Sequence, residues 1–93
     1  MIIKGKKKGD VTFVCNLMPQ ARKVSVVGTF NNWDPEAKRM VKSKDGSFRA
    51  TMTLPPGDHE YKFVVDGIWL DDPDTERRVP NPHGTLNSVV YVS

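Results

Sequence analysis

The sequence predicts an all-β fold, an antiparallel β-sandwich of immunoglobulin-like shape built from about seven short strands. Three observations predict it. Apolar and polar residues alternate over short runs, turn dipeptides recur at hairpin spacing, and no segment beyond a single turn carries helical periodicity. The chain has 93 residues, enough for one domain with one modest core. Residues 1–93 are therefore read as one unit, with residues 1–9 a flexible basic terminus.

Lys4-Gly5-Lys6-Lys7-Lys8 opens the chain and reads as a solvated terminus rather than a polyanion-binding arm. In residues 11–16, Val11, Phe13 and Cys15 share one face. After the short connection Met18-Pro19-Gln20-Ala21, residues 22–30 place Val24 and Val26 on one face and Ser25 on the other. Asn31-Asn32-Trp33-Asp34-Pro35 breaks that strand. Asp34-Pro35-Glu36-Ala37 suits one helical turn, with Asp34 as cap and Pro35 at the first position. Residues 48–54 alternate most cleanly: Phe48, Ala50, Met52 and Leu54 face inward, and Arg49, Thr51 and Thr53 face water. Asp45-Gly46 and Asp66-Gly67 both suit type I′ turns, whose two central residues need positive φ. Pro55-Pro56-Gly57-Asp58 is a sharp turn, since proline cannot join a central ladder. Residues 60–65 and 68–70 flank Asp66-Gly67, residues 71–82 form a polar loop, and residues 85–92 close the chain.

The Asp66-Gly67 turn fixes a register. A two-residue loop sets Val65 against Ile68, Val64 against Trp69, and Phe63 against Leu70. Tyr61, Phe63, Val65, Ile68 and Leu70 then share one apolar face, which is the expected core face. Lys62, Val64 and Trp69 share the other, and an unpaired ammonium is costly to bury, so that face is the outer one. Trp69 either covers its own hairpin or offers a binding surface, and its place beside Lys62 favours the second. Trp33 sits in a loop, where composition leaves two readings open: a plug at one end of the sandwich, or an exposed platform. Thr85 and Asn87 share a face in the last strand. Two indoles with Lys62, Thr85 and Asn87 suit a sugar. An indole meets the C–H face of a pyranose, and the polar groups meet its rim of hydroxyls.

Other classes fit less well. A net charge of +3 without a clustered basic track argues against nucleic acid as partner. No apolar run reaches membrane-spanning length or forms a signal peptide, so no membrane partner is expected. The single cysteine, Cys15, reads as a small core residue, and a cytoplasmic setting is the default. No catalytic constellation is present, so an enzyme is not expected. Asp71, Asp72, Asp74 and Glu76 read as solvated loop residues without calcium-loop spacing. His59 and His83 are too few for a metal site, and no cofactor or metal is expected.

Four motifs occur in order: Val26-Val27-Gly28-Thr29-Phe30-Asn31-Asn32-Trp33, then Tyr61-Lys62-Phe63-Val64-Val65-Asp66-Gly67-Ile68-Trp69, then Asp72-Pro73, then Gly84-Thr85-Leu86-Asn87. In this order they resemble the glycogen-binding domain of the AMP-activated protein kinase β subunit and the wider family 48 carbohydrate-binding modules. That family includes N-terminal domains of branching and debranching α-glucan enzymes. The resemblance covers residues 21–93. It implies an immunoglobulin-like sandwich that binds α-1,4-linked glucan, with or without a 1,6 branch. It further implies that Trp33 and Trp69 stack on sugars, that Lys62 and Asn87 hydrogen-bond hydroxyls, and that Thr85 lines the site. His83 stands where the kinase domain carries a leucine, and its imidazole can pack on a sugar or donate to a hydroxyl. The expected partner is an α-glucan, with a glucan enzyme or kinase-like complex as the protein partner. The alternative is an interaction or regulatory domain that kept the fold without sugar binding.

Overall fold

The structure, a computed structural model, describes residues 1–5 and 7–93; Lys6 of the basic run lies outside the described residues. In chain order the strands are β1 (Ile2–Lys4), β2 (Asp10–Cys15), β3 (Val24–Gly28), β4 (Val41–Lys42), β5 (Phe48–Thr53), β6 (Gly57–Val65), β7 (Ile68–Leu70), β8 (Arg78–Pro80) and β9 (Leu86–Val92). One sheet runs β1-β2-β5-β4; the other runs β3-β6-β9-β8, with β7 also paired to β6. All pairings are antiparallel. The all-β sandwich expected from the alternation is the fold observed. Among the described residues no helix is long and apolar enough to cross a membrane.

The alternation places the core. Val11, Phe13 and Cys15 of β2 join Phe48 and Ala50 of β5, and they meet Val24, Val26, Tyr61, Phe63, Val65, Val90 and Val92 of the second sheet. Phe13 takes Tyr61 edge-on, with ring centroids 5.0 Å apart. Burial pushes the Cys15 thiol above its usual range. The strands that match no segment read from the sequence are β1, β4 and β8, of two or three residues each. Runs that short carry no readable period. Asp34-Pro35-Glu36-Ala37 forms a turn without becoming a helix, with the Asp34 carboxylate accepting the Glu36 N–H at 2.9 Å.

Several details differ from the sequence reading. Residues 2–4, inside the expected flexible terminus, pair with β2, and Ile2 packs against the core. Ile68, expected in the core, is 56% exposed, whereas Leu70 packs against it. β7 pairs on one side only, to β6, so the side chain at its tip is left uncovered. At Asp45-Gly46 only Gly46 takes a positive φ, so this is not a type I′ turn.

The largest correction is Asp72. Expected in solvent, it is 1% exposed. Its Oδ2 accepts the Tyr61 hydroxyl at 2.7 Å, and its backbone N–H donates to Ser88 Oγ at 2.7 Å. The Met1 amine also donates to Oδ2. Asp72 thus joins β6 through its carboxylate and β9 through its backbone N–H, and the carboxylate's partners offset the cost of its burial.

Asp72→Ala leaves the buried Tyr61 hydroxyl without its acceptor. Urea denaturation should show a loss of about 2–3 kcal/mol. Burial and the adjacent Asp72 carboxylate both raise the Tyr61 pKa. The unfolded phenol titrates near 10, so above about pH 10 the unfolded chain holds fewer protons than the fold, and stability falls as pH rises. Tyr61→Phe should flatten that alkaline decline in denaturation curves recorded from pH 8 upward.

Candidate functional site

The site begins with β6. Its inward residues Tyr61, Phe63 and Val65 are fully buried, so Glu60, Lys62 and Val64 face outward from the sandwich. β3 pairs along one edge of β6 from Tyr61 to Val65. The opposite edge is shared, with β9 pairing to residues 57–61 and β7 to residues 63–65. The two partners part at Lys62. Its ammonium bridges the fork by donating to the Leu86 carbonyl at 2.8 Å.

The Asp66-Gly67 turn has the expected geometry, with φ of 47° and 85°. The register is also as expected: Val65 opposes Ile68, Val64 opposes Trp69, and Phe63 opposes Leu70. Trp69 is 45% exposed on the outer face. Val64 shares that face but is buried, lying between its cross-strand neighbours Ser25 and Trp69. The Asp66 carboxylate accepts the N–H groups of Arg22 and Lys23 at 3.0 and 2.8 Å, which anchors the turn to the entry of β3.

Two loops complete the site. After β3 the chain turns sharply, and the Asn31 side chain holds the turn. Its Oδ1 accepts the Gly28 N–H at 3.0 Å, and its Nδ2 donates to the Val26 carbonyl at 3.0 Å. The Trp33 N–H donates to the Gly28 carbonyl at 3.0 Å. Asn32 and Trp33 take φ of 55° and 58°, a region costing a bulky residue about 1–3 kcal/mol. Gly28 is required because a Cβ there would lie 2.4 Å from the Glu60 carbonyl oxygen. The second loop is organised by Asn81. Its Oδ1 accepts the His83 and Thr85 N–H groups at 2.9 and 3.2 Å. Its Nδ2 donates to Thr85 Oγ1 at 2.7 Å and to Asn87 Oδ1 at 2.9 Å.

Between these parts lies a groove of about 650 Å³. All six residues singled out from the sequence line it: Trp33, Lys62, Trp69, His83, Thr85 and Asn87. Thr29, Glu60, Asn81 and Pro82 line it too, and sequence reasoning missed them. Alternation put Glu60 on the same face as Lys62, a signal that was available. Asn81 gave none, because its role depends on contacts around a loop. Trp33 is half-buried and lines the groove wall. Asn87 is only 5% exposed and is held at both ends of its amide. Farther along the face, Arg77 pairs bidentately with Asp58 at 2.7 and 3.0 Å, holding its carboxyl below the usual range. A second cleft of about 690 Å³ between the N-terminal segment and β9 contains neither tryptophan. The groove therefore offers indole surface for an apolar ring face, with donors and acceptors close by for hydroxyls.

Comparison with known proteins adds the following. A family described as the glycogen recognition site of AMP-activated protein kinase matches residues 6–93. The chain is 41% identical over 71 residues to the mouse 5'-AMP-activated protein kinase subunit beta-2, covering 76% of this chain and 25% of that protein. It is 39% identical over 71 residues to the pig subunit beta-1, covering 76% of this chain and 55% of that protein. The chain thus spans a quarter to about half the length of these relatives. In structure it is similar over its whole length to 16% of the maltogenic amylase from S. marinus, with a TM-score of 0.77 and 20% identity, a likeness of fold.

Asn31→Ala removes one acceptor and one donor from partly buried backbone groups. Denaturation should show a loss of about 1–3 kcal/mol. In a Trp69→Phe background, where Trp33 is the one remaining indole, acrylamide quenching should rise as the loop loosens.

Proposed function

The chain belongs to the family described as the glycogen recognition site of AMP-activated protein kinase, and we propose that its groove binds α-1,4-linked glucan by stacking glucose units on Trp33 and Trp69. The family is a non-catalytic carbohydrate-binding module. The observation that carries the finer reading is the convergence of both tryptophans, from separate loops and strands, on one groove with Lys62 and Asn87. In this reading the indoles take the C–H faces of successive sugars. Lys62 donates to hydroxyls with the N–H groups it does not give to Leu86, Thr85 offers its hydroxyl proton, and His83 closes the rim. Asn87 offers the one amide hydrogen not committed to Glu60.

A protein partner is part of the same proposal, because the similar kinase proteins are named as subunits. The exposed Ile68 on edge strand β7 is an apolar contact for such a partner.

Calorimetry against maltoheptaose and β-cyclodextrin tests the glucan reading. Wild type should bind, and Trp33→Ala and Trp69→Ala should each weaken binding by at least about tenfold, or ~1.4 kcal/mol. Glycogen in a native gel should retard wild type and retard the variants less. A wild type that neither binds nor is retarded sinks the reading.

A further inference from the structure

The groove's hydrogen-bonding capacity is unevenly distributed. Lys62 only donates, and one of its N–H groups is given to Leu86 at 2.8 Å. The Asn87 amide oxygen accepts from Asn81 at 2.9 Å, and one amide hydrogen goes to Glu60 Oε1 at 3.0 Å. Thr85 Oγ1 accepts from Asn81 at 2.7 Å. Much of the neutral acceptor capacity is thus committed to organising the loop. Glu60 is different. It lines the groove, it is half-buried, and its Oε1 takes one hydrogen bond. A carboxylate accepts at about four lone-pair sites, and among the described residues Glu60 has no salt-bridge partner. Every sugar hydroxyl has a proton to place, and a charge-assisted hydrogen bond is roughly twice as strong as a neutral one.

We infer that Glu60 is a sugar-binding residue, the acceptor that takes a hydroxyl proton from the glucose unit lying over Lys62. The inference rests on the glucan reading above. Glu60 and Lys62 are two residues apart on one strand and so roughly 7 Å apart along it. A vicinal diol spans that interval: one hydroxyl donates to the carboxylate, and its neighbour accepts from the ammonium, each over about 2.8 Å. Asn87, by donating to Oε1, orients the carboxylate so that Oε2 remains for the sugar. Asn81 fixes the Asn87 amide in turn, which makes it a positioning residue.

Calorimetry on Glu60→Gln with maltoheptaose tests this, with melting temperature and tryptophan emission as checks on the fold. The substitution keeps the shape and an oxygen for Asn87 while removing the charge. Binding should weaken by about fivefold to twentyfold. Methyl α-maltosides lacking one hydroxyl at a time provide the second readout. For one deoxy sugar the wild-type loss should match the loss in Glu60→Gln, and the variant should lose nothing more with that sugar. A Glu60→Gln protein that binds maltoheptaose within twofold of wild type overturns the inference and leaves the glucan reading standing. Additive losses for every deoxy sugar also overturn it, since they assign Glu60 a purely structural role. A wild type that binds no maltoheptaose overturns both. If Glu60→Gln does not fold, Glu60→Asp, which withdraws the carboxylate by one methylene, is judged by the same criteria.

Discussion

The whole site depends on the alternation of side chains along β6. This strand of nine residues runs through the centre of the second sheet and contributes to both of its faces. Tyr61, Phe63 and Val65 have no exposed surface, and burying three side chains of this kind stabilises by several kcal/mol in total. A shift of one residue would drive Lys62 and Glu60 into the core, with a penalty no surface contact could offset. The outward direction of Glu60, Lys62 and Val64 therefore follows from the core. The chemistry of the groove is the reverse side of the packing.

The fork along the edge of β6 makes a groove out of a flat sheet. A single long partner strand would have filled the edge and left no recess. Instead β9 leaves at Tyr61 and β7 begins at Phe63, with Lys62 between them. Asp72, two residues after β7, then bonds Tyr61 and Ser88, one residue on each arm of the β6–β9 pair. Asp72, through its carboxylate to Tyr61 and its backbone N–H to Ser88, holds the fork from the core side, and the Lys62–Leu86 hydrogen bond holds it from the solvent side. Two polar contacts on opposite faces thus fix the place where the strands diverge.

The loops are fixed by asparagine side chains. Asn31 substitutes for missing backbone partners at the end of β3, and Asn81 does so before β9. Both pin a turn whose far end presents a groove residue: Trp33 from one, His83 and Thr85 from the other. The positive φ at Asn32 and Trp33 occurs inside a turn that these hydrogen bonds close. Walls pinned in this way lower the ordering cost of binding a ligand in such a groove.

Much of this was legible in the sequence. Period-two alternation gave the sandwich and the core faces of β2, β5 and β6, because side-chain direction along a strand is set by local geometry. Asp66-Gly67 determined its hairpin register and put Trp69 outside beside Lys62, because a two-residue loop leaves only one pairing. The motifs named five residues, and the position two before Thr85 a sixth, His83, that the structure gathers into one groove. What the sequence could not determine depended on contacts between distant segments. Ile68 matches the inward pattern, yet no strand of the other sheet reaches it. Asp72 looks like one acidic residue among several in a polar loop, yet Tyr61 and Ser88 bury it. Alternation puts Glu60 on the face of Lys62, but the groove over that face is built by loops and strands distant in the chain. Local geometry decides which way a side chain points. Only the packing of segments far apart in the chain decides whether that direction leads to solvent, to the core or to a groove.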